Sequence, residues 1–149
     1  MLNFLRNVSS QLHADALLAM SLAWAASVLI GLVYYQLLGS AWREASDLSE
    51  YEAQSARSMT TLLMAGVCYG LLALALYGVI WHASFGQVSM RASLIAAALC
   101  WFGFIVPTML ANHRFQGRLF KLTVINAGHW LVVIFAQAAI IGWVATVQP

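Results

Sequence analysis

The chain has 149 residues, of which 62% are hydrophobic and only 8% are charged, with a formal net charge of +2. A soluble domain usually carries roughly a quarter charged residues, so this chain lacks the polar groups needed to cover a soluble core. The small net charge and the scattered Lys and Arg residues, with no basic stripe between aromatics, exclude a nucleic-acid partner. The composition therefore predicts an integral membrane protein, with the lipid bilayer as its solvent.

The N-terminal segment resembles a signal peptide, but its apolar run is too long. Ala-Trp-Ala at 23–25 could mimic a cleavage site, yet the run continues from Ala16 to Leu38, beyond the apolar core of a signal peptide. We therefore expect an uncleaved first span. The two cysteines, Cys68 and Cys100, lie inside apolar segments and form no disulfide framework. Packing as small buried hydrophobic residues explains them.

Four apolar segments are long enough to cross a bilayer, which takes roughly 20 residues. Their approximate bounds are 14–38, 58–81, 88–111 and 122–147. Hydrocarbon leaves unpaired backbone groups unsatisfied, so each span must be helical, and no alternating pattern suggests a barrel. The sequence predicts an all-α polytopic membrane protein, a four-transmembrane-helix bundle forming a single domain over 1–149. Residues 1–13 are mixed in character and compatible with a short amphipathic helix along the interface.

The connecting segments differ in charge. Loop 39–57 holds four of the five acids and favours a short surface helix, loop 82–87 is a tight turn, and loop 112–121 is short and basic. Five of the seven Lys and Arg residues lie in the first and third loops, whereas Arg6 and Arg91 lie on the other side. Since cytoplasmic loops carry an excess of Lys and Arg, we predict that both these loops are cytoplasmic. Both termini then lie outside a bacterial inner (plasma) membrane.

Small residues recur at intervals of four in the first two spans. They are Ala19, Ala23, Ser27 and Gly31 in span 1, and Gly66 and Gly70 in span 2. Residues four apart share a helix face, and small ones let two backbones approach closely. Such faces serve either a homo-oligomer interface or packing within one bundle, and the second is favoured in a chain with four helices. In span 3, Pro107 should kink or loosen the helix.

Polar groups inside a membrane are costly, which makes them functional candidates. We expect no Asp or Glu inside any span, which argues against a proton-driven pump. Span 4 is the most polar: at 100° per residue, His129, Trp130 and Gln137 all fall within about 60° of Asn126, so this stripe should face other helices. Asn126 and His129 form either a ligand or cofactor site or interhelical hydrogen bonds worth about 0.6–2 kcal/mol each. The second interpretation is favoured.

Signatures of metal, haem and catalytic sites are missing from the sequence. The four histidines fall at different depths, so no pair suits two axial haem ligands. No HxxxH, HExxH or Cys/His cluster with metal spacing is present, nor a Gly-x-Ser-x-Gly motif or a glycine-rich phosphate loop. We expect no metal, no cofactor and no catalytic residue, which favours a non-enzymatic protein. The aromatic residues at span ends are interpreted as interfacial anchors, namely Tyr34, Tyr35, Trp42, Tyr77, Trp81 and Trp143, whereas Trp24 and Trp101 lie deeper.

Two stretches read as motifs. The first is Gly31-Leu-Val-Tyr34-Tyr35-Gln-Leu-Leu38-Gly39-Ser-Ala-Trp42. The second is Gly103-Phe104-Ile-Val-Pro107-Thr108-Met-Leu110-Ala-Asn112, continuing His-Arg-Phe115-Gln-Gly117-Arg118-Leu-Phe-Lys121-Leu122-Thr-Val-Ile125-Asn126-Ala-Gly128, with Gly142-Trp143 later. Together they resemble a family of small bacterial and fungal four-span membrane proteins catalogued only as a domain of unknown function. This chain departs from the family pattern where Gln36-Leu37 replaces Ser-Pro and Leu38 replaces Phe. The resemblance implies a membrane location and no assigned activity.

Under the predicted topology, the end of span 1, the end of span 3, the third loop and the start of span 4 reach the same membrane face. The residues that converge there are Tyr34, Tyr35, Trp42, Thr108, Asn112, Arg118, Lys121 and Asn126. We hypothesise a ligand or headgroup site that continues inward to His129 and Gln137. Arg118 and Lys121 would hold an anionic headgroup, a small anion or an acidic partner segment. The alternative is that these basic residues only fix the topology.

Three functions remain open at this point. The first is a non-enzymatic accessory or lipid-associated bundle that forms a homo-oligomer or joins a larger membrane complex. The second is a small-solute or ion transporter or channel that works as an oligomer, with the span 4 stripe lining a path. The third is a membrane-embedded cofactor-binding protein that uses His129. The small-residue faces and the lack of catalytic constellations favour the first.

Overall fold

A computed structural model describes residues 2–56 and 58–147, with side chains given for 14–49, 51–56 and 58–147. In chain order the elements are α1 (Leu2–Ser46), α2 (Glu50–Ser55), α3 (Met59–Ala83), α4 (Met90–Cys100), a π-helical turn (Trp101–Ile105), α5 (Val106–Phe115) and α6 (Phe120–Val147). Four stretches are long and apolar enough to cross a membrane: Ala14–Ser46, Met59–Ala83, Met90–Phe115 and Phe120–Val147. The predicted all-α, multi-pass fold with four spans is confirmed.

The helices extend further than the apolar runs predict. α1 continues past Leu38 to Ser46, since no proline intervenes, and it ends before Asp47, whose φ of 50° lies in the left-handed region. α5 continues to Phe115 and α6 begins at Phe120, so the predicted third loop shortens to the turn 116–119. Glu44 lies within the extension of α1, and Asp15 lies at the start of the same span, Ala14–Ser46, inside the bounds already predicted from the sequence. The expectation that no acid lies inside a span is therefore wrong at the two ends of span 1.

The sequence predicts two short surface helices, one in the first loop and one at residues 1–13. The first loop contains the expected short helix, α2, which begins with a capping box: the Glu52 carboxylate accepts the Ser49 N–H at 2.9 Å, and the Ser49 hydroxyl accepts the Glu52 N–H at 3.3 Å. The hydrogen bonds from Ser49 lower the pKa of Glu52. At the N-terminus, the backbone of 2–13 continues α1 without a break. The interfacial role predicted for 1–13, the side chains of Arg6 and His13, and Arg57 lie outside the described residues.

The third span changes its helical geometry next to Pro107, where the sequence predicts a kinked or loosened helix. Pro107 has no N–H to donate to the carbonyl of Gly103, the residue one α-turn earlier. The backbone directly before it, Trp101–Ile105, adopts a π-helical turn, and the Val106 N–H reaches back five residues to the Trp101 carbonyl. The π-turn therefore accommodates the proline while the helix continues to Phe115.

The bundle packs around α6, which contacts α1, α3, α4 and α5. The small residues of α1 point inward: Ala19, Ala23, Ser27 and Gly31 are all buried. Gly66 and Gly70 are half-buried on α3, where the Gly66 carbonyl accepts a hydrogen bond from the Trp24 indole at 2.8 Å. α4 and α6 meet most closely at Gly142, where an added Cβ would lie 2.7 Å from Met90 Cα. The small face of α1 is thus occupied within the monomer. The prediction that Cys68 packs as a buried residue is wrong, because its side chain is exposed in the structure.

Candidate functional site

Polar and aromatic side chains meet between α1, α3 and α6, from the middle of the bundle toward the end at the α5–α6 turn. We call this group the central cluster; its members are Ser27, Tyr34, Tyr35, Trp42, Tyr69, Asn126, His129 and Gln137. α6 contributes to it over about three helical turns, since residues 126, 129 and 137 lie on one side of a helix with 3.6 residues per turn.

His129 is the most enclosed polar residue of the central cluster. Its imidazole is only 2% exposed, and four aromatic rings surround it, with centroids 4.9 Å (Tyr35), 5.2 Å (Tyr34), 5.2 Å (Trp130) and 5.9 Å (Tyr69) away. Nε2 lies 3.1 Å from the Tyr69 hydroxyl. Nδ1 is buried and has no hydrogen-bond partner among the described residues. The rings fill the space around the imidazole, so a large planar cofactor would have to displace them.

Asn126 joins α6 to the late part of α1. Its Oδ1 accepts two hydrogen bonds, from the Tyr35 hydroxyl at 3.2 Å and from the Trp42 indole N–H at 3.1 Å. The two donors are seven residues apart, which is two helical turns, so both lie on the same face of α1. Tyr34 adds a third link, since its hydroxyl donates to the Ile125 carbonyl at 2.9 Å. Its ring closes over Gly128, where an added Cβ would lie 2.8 Å from the Tyr34 hydroxyl oxygen.

Gln137 links three helices deeper in the bundle. Its amide nitrogen donates to the Ser27 hydroxyl at 2.9 Å and to the Tyr69 carbonyl at 3.1 Å. The Ser27 hydroxyl in turn donates a hydrogen bond to the Ala23 carbonyl at 2.7 Å. Gln137 Oε1 is buried without a partner in the described part of the chain. Tyr69 fits here because α1 offers Gly31, where an added Cβ would collide with the Tyr69 hydroxyl.

The basic residues predicted to bind an anion have partners within the chain. Lys121 forms an ion pair with Glu44 at 2.7 Å, exposed on the surface. Arg118 donates from Nη1 to the Ser46 carbonyl at 2.7 Å. That carbonyl ends α1, where unpaired carbonyls and the helix dipole favour a cation. Both contacts fasten the start of α6 to the end of α1.

The structure brings together only part of the predicted site. Tyr34, Tyr35, Trp42 and Asn126 are hydrogen-bonded as described, with Arg118 and Lys121 at their edge. Thr108 and Asn112 are exposed on α5 and donate to no member of the central cluster. The polar atoms of Tyr34, Tyr35 and Trp42 bind α6, and their role as interfacial anchors stays a prediction. Trp101, expected to pack, also donates its indole N–H to the Ala127 carbonyl at 2.9 Å.

Tyr69 is the member that the sequence interpretation missed. It contacts both His129 and Gln137, yet its span is apolar on every side and contains only two tyrosines, Tyr69 and Tyr77, which give no periodic signal. Its depth could have revealed it: Tyr69 lies ten residues into α3 from Met59, about 15 Å at 1.5 Å per residue. A hydroxyl that far from water needs a protein partner. Among the described residues, no three His, Cys, Asp or Glu side chains are close enough to share a metal ion.

Comparison with known proteins gives a family and no activity. Residues 18–142 match a family described as a protein of unknown function, DUF1761. The chain belongs to this family. The match covers the second and third spans, most of the first and fourth, and all members of the central cluster. It confirms the family resemblance predicted from the sequence. No curated protein matches the chain, and no solved structure matches it either.

Proposed function

We propose that this member of the family is a non-enzymatic integral membrane protein, an accessory or lipid-associated bundle that works as a homo-oligomer or within a larger membrane complex. The observation that carries the proposal is the pairing inside the central cluster. Apart from His129 Nδ1 and Gln137 Oε1, its hydroxyl, amide and indole groups are bound to one another and to backbone carbonyls across α1, α3 and α6. Such groups stabilise helix association in a membrane, and a catalytic site would instead leave them facing bound substrate.

The proposed location is a bacterial inner membrane, with loops 39–57 and 112–121 in the cytoplasm and both termini outside. Support comes from charge, since five of the seven Lys and Arg residues lie in those two loops. The central cluster and its edge then lie toward the cytoplasmic leaflet. There the exposed Lys121–Glu44 ion pair and the part-buried Arg118–Ser46 contact lie where anionic headgroups can compete for the two cations.

The proposed oligomer needs a surface other than the small-residue face of α1, which is occupied in the monomer. The third span offers one, because it is the least buried of the four. Phe102, Gly103 and Phe104 are exposed there, in the π-helical turn. Native mass spectrometry of the protein in lipid nanodiscs tests this. The proposal expects assemblies above the 16.3 kDa monomer and retained lipid, and bare monomers at every protein concentration would contradict it.

A transporter or channel is the second candidate, and one observation favours it. Gln137 ends the polar contacts of the central cluster, and Ile141, one turn further along α6, lines a cleft at the opposite end of the bundle. One helical turn is about 5.4 Å, so only a thin apolar layer separates the central cluster from the cleft. Solute or ion flux in proteoliposomes tests this function, and Ile141→Ser should raise the flux by thinning the layer. No flux above that of empty liposomes for either protein would eliminate it.

A further inference from the structure

The end of the bundle opposite the central cluster carries a cleft of about 180 Å³. α1 contributes Asp15 to its wall, α3 contributes Tyr77 and Trp81, and the α3–α4 turn contributes Gln87. Its floor is apolar, with Ile141 and Val144 of α6 nearly inaccessible. The volume is below the roughly 300 Å³ at which sites for drug-sized ligands begin. The cleft is therefore sized for a small polar group rather than for a whole lipid.

Two aromatic rings form one wall of the cleft. Tyr77 and Trp81 are one helical turn apart and stack, with ring centroids 6.2 Å apart and planes inclined by 20°. The α3–α4 turn folds back onto the end of α3, since the Gly86 N–H donates to the Trp81 backbone carbonyl at 2.8 Å. Gly86 has a φ of 81°, and a Cβ added there would lie 3.3 Å from the indole ring. This backbone conformation and the close approach favour glycine. The turn backbone can therefore pack directly against the indole ring and restrict its movement.

The chemistry of the wall selects the ligand. Asp15 is the one charged side chain among the described residues that line the cleft, so an anion would be repelled. A divalent cation needs six or more oxygen ligands or several carboxylates, which one aspartate does not supply. An ammonium group suits all three features: it pairs with a carboxylate, it is attracted to the faces of Tyr and Trp rings, and its alkyl carbons pack on an apolar floor.

The position of the cleft identifies the source of the ammonium group. Asp15 directly precedes the apolar run that begins at Ala16, and Trp81 lies two residues before the end of α3, which is the depth of lipid headgroups. Phe85, at the tip of the neighbouring turn, is 95% exposed with a φ of 52°. A bulky residue in this conformation is uncommon, and it points an apolar ring outward, as expected for a turn that rests in the interface.

We propose that this cleft binds the ammonium group of a zwitterionic phospholipid headgroup, with Asp15 as the counter-ion and Tyr77 and Trp81 as the aromatic wall. The site is separate from the central cluster and does not depend on the function proposed above. A protein that never oligomerises can bind the headgroup, and an oligomer can lack the site, so the two failures are distinguishable.

The test is a titration of the delipidated full chain in detergent micelles, followed by native mass spectrometry. The probes are dihexanoyl phosphatidylethanolamine, dihexanoyl phosphatidylglycerol, which has no ammonium group, and free ethanolamine. Asp15→Asn keeps the shape of the side chain and removes its charge. The matched control is Asp47→Asn, at the other end of the bundle, where asparagine tolerates the observed φ of 50°.

We expect Asp15→Asn to weaken phosphatidylethanolamine binding about tenfold or more, as for the loss of a charged hydrogen bond. Phosphatidylglycerol binding should stay the same or become tighter, because Asp15→Asn removes the charge that repels an anion, and Asp47→Asn should behave as wild type. A second pair of variants tests the aromatic wall. Trp81→Leu should lose phosphatidylethanolamine binding, whereas Trp81→Phe should largely keep it, because only phenylalanine retains an aromatic ring. Equal phosphatidylethanolamine affinity in wild type, Asp15→Asn and Trp81→Leu would overturn the proposal. Free ethanolamine binding as tightly as the lipid would overturn the lipid source.

Discussion

The hydroxyl oxygen of Tyr69 lies 3.1 Å from Nε2 of His129, and this contact joins α3 to α6 inside the bundle. The backbone carbonyl of the same tyrosine accepts a hydrogen bond from Gln137. The two partners are eight residues apart on α6, about 12 Å along the helix axis. Tyr69 therefore fixes both the rotation and the axial position of α3 against α6, which is the structural role that we assign to the central cluster.

Removal of the Asn126 amide should destabilise the bundle. Asn126→Leu leaves the Tyr35 hydroxyl and the Trp42 N–H without their acceptor, at a cost of about 1–3 kcal/mol in the free energy of unfolding. Asn112→Leu is the matched control, since Asn112 is exposed on α5. Unfolding in mixed micelles of increasing sodium dodecyl sulfate, followed by circular dichroism, measures both. Equal midpoints for the two variants would contradict the assigned role of Asn126.

The close approach of α4 and α6 predicts opposite effects for two glycine substitutions. Gly142→Ala brings a methyl group to 2.7 Å from Met90 Cα, so the helices must separate, at a cost of about 1–3 kcal/mol. Gly78→Ala meets nothing within 4 Å and should be neutral or stabilising by up to about 1 kcal/mol, because alanine favours the helix. The same unfolding assay measures both variants, and a Gly142→Ala protein as stable as wild type would show that the two helices do not pack this closely.

Four apolar runs were sufficient to predict the four spans, because the thickness of the bilayer sets both their length and their helical form. The ends were harder to predict. α1 extends to Ser46 and α5 to Phe115, since a helix continues through polar residues until a turn residue such as Asp47 or Gly117 ends it. Hydropathy shows where lipid contacts the chain and not where the helix stops.

Only part of the central cluster could be predicted from the sequence. The polar stripe of α6 follows from its 100° spacing, so Asn126, His129 and Gln137 could be grouped from the sequence. The predicted topology also placed Tyr34, Tyr35 and Trp42 on the same membrane face as Asn126. The hydrogen bonds between them, and any partner on α3, could not be predicted, because a span that is apolar on every side carries no signal for which face meets its neighbour. Tyr69 shows this most clearly: the sequence gives its depth, and only the packing of α3 on α6 gives its partner.

The contact between Arg118 and the end of α1 predicts a difference between two arginines of the same turn region. Arg118→Ala removes the donor from the Ser46 carbonyl and should cost about 0.3–1 kcal/mol, in line with a cation at a helix C-terminus. Arg114→Ala should cost less, because Arg114 is exposed. Chemical unfolding at low and at high salt measures the pair. An equal loss of stability from both arginines would argue against the capping role.

The predicted orientation is testable by cysteine labelling at positions that the structure recommends. Ser46 is buried and unsuitable, whereas Tyr51 and Phe85 are 81% and 95% exposed, at opposite ends of the bundle. In a background with Cys68→Ala and Cys100→Ala, a membrane-impermeant maleimide added to intact spheroplasts should label Phe85→Cys. It should label Tyr51→Cys only after permeabilisation. Labelling of Tyr51→Cys in intact spheroplasts would reverse the orientation.

The central claim, that the central cluster exists to hold helices together, is tested most directly by a double-mutant cycle between Tyr69 and His129. Each single substitution, Tyr69→Phe or His129→Leu, leaves its partner buried without a hydrogen bond, whereas the double variant leaves neither. We predict that the unfolding free energies of the single variants do not add, with a coupling energy of about 0.6–2 kcal/mol. Strictly additive effects, with a coupling energy of zero, would contradict the account.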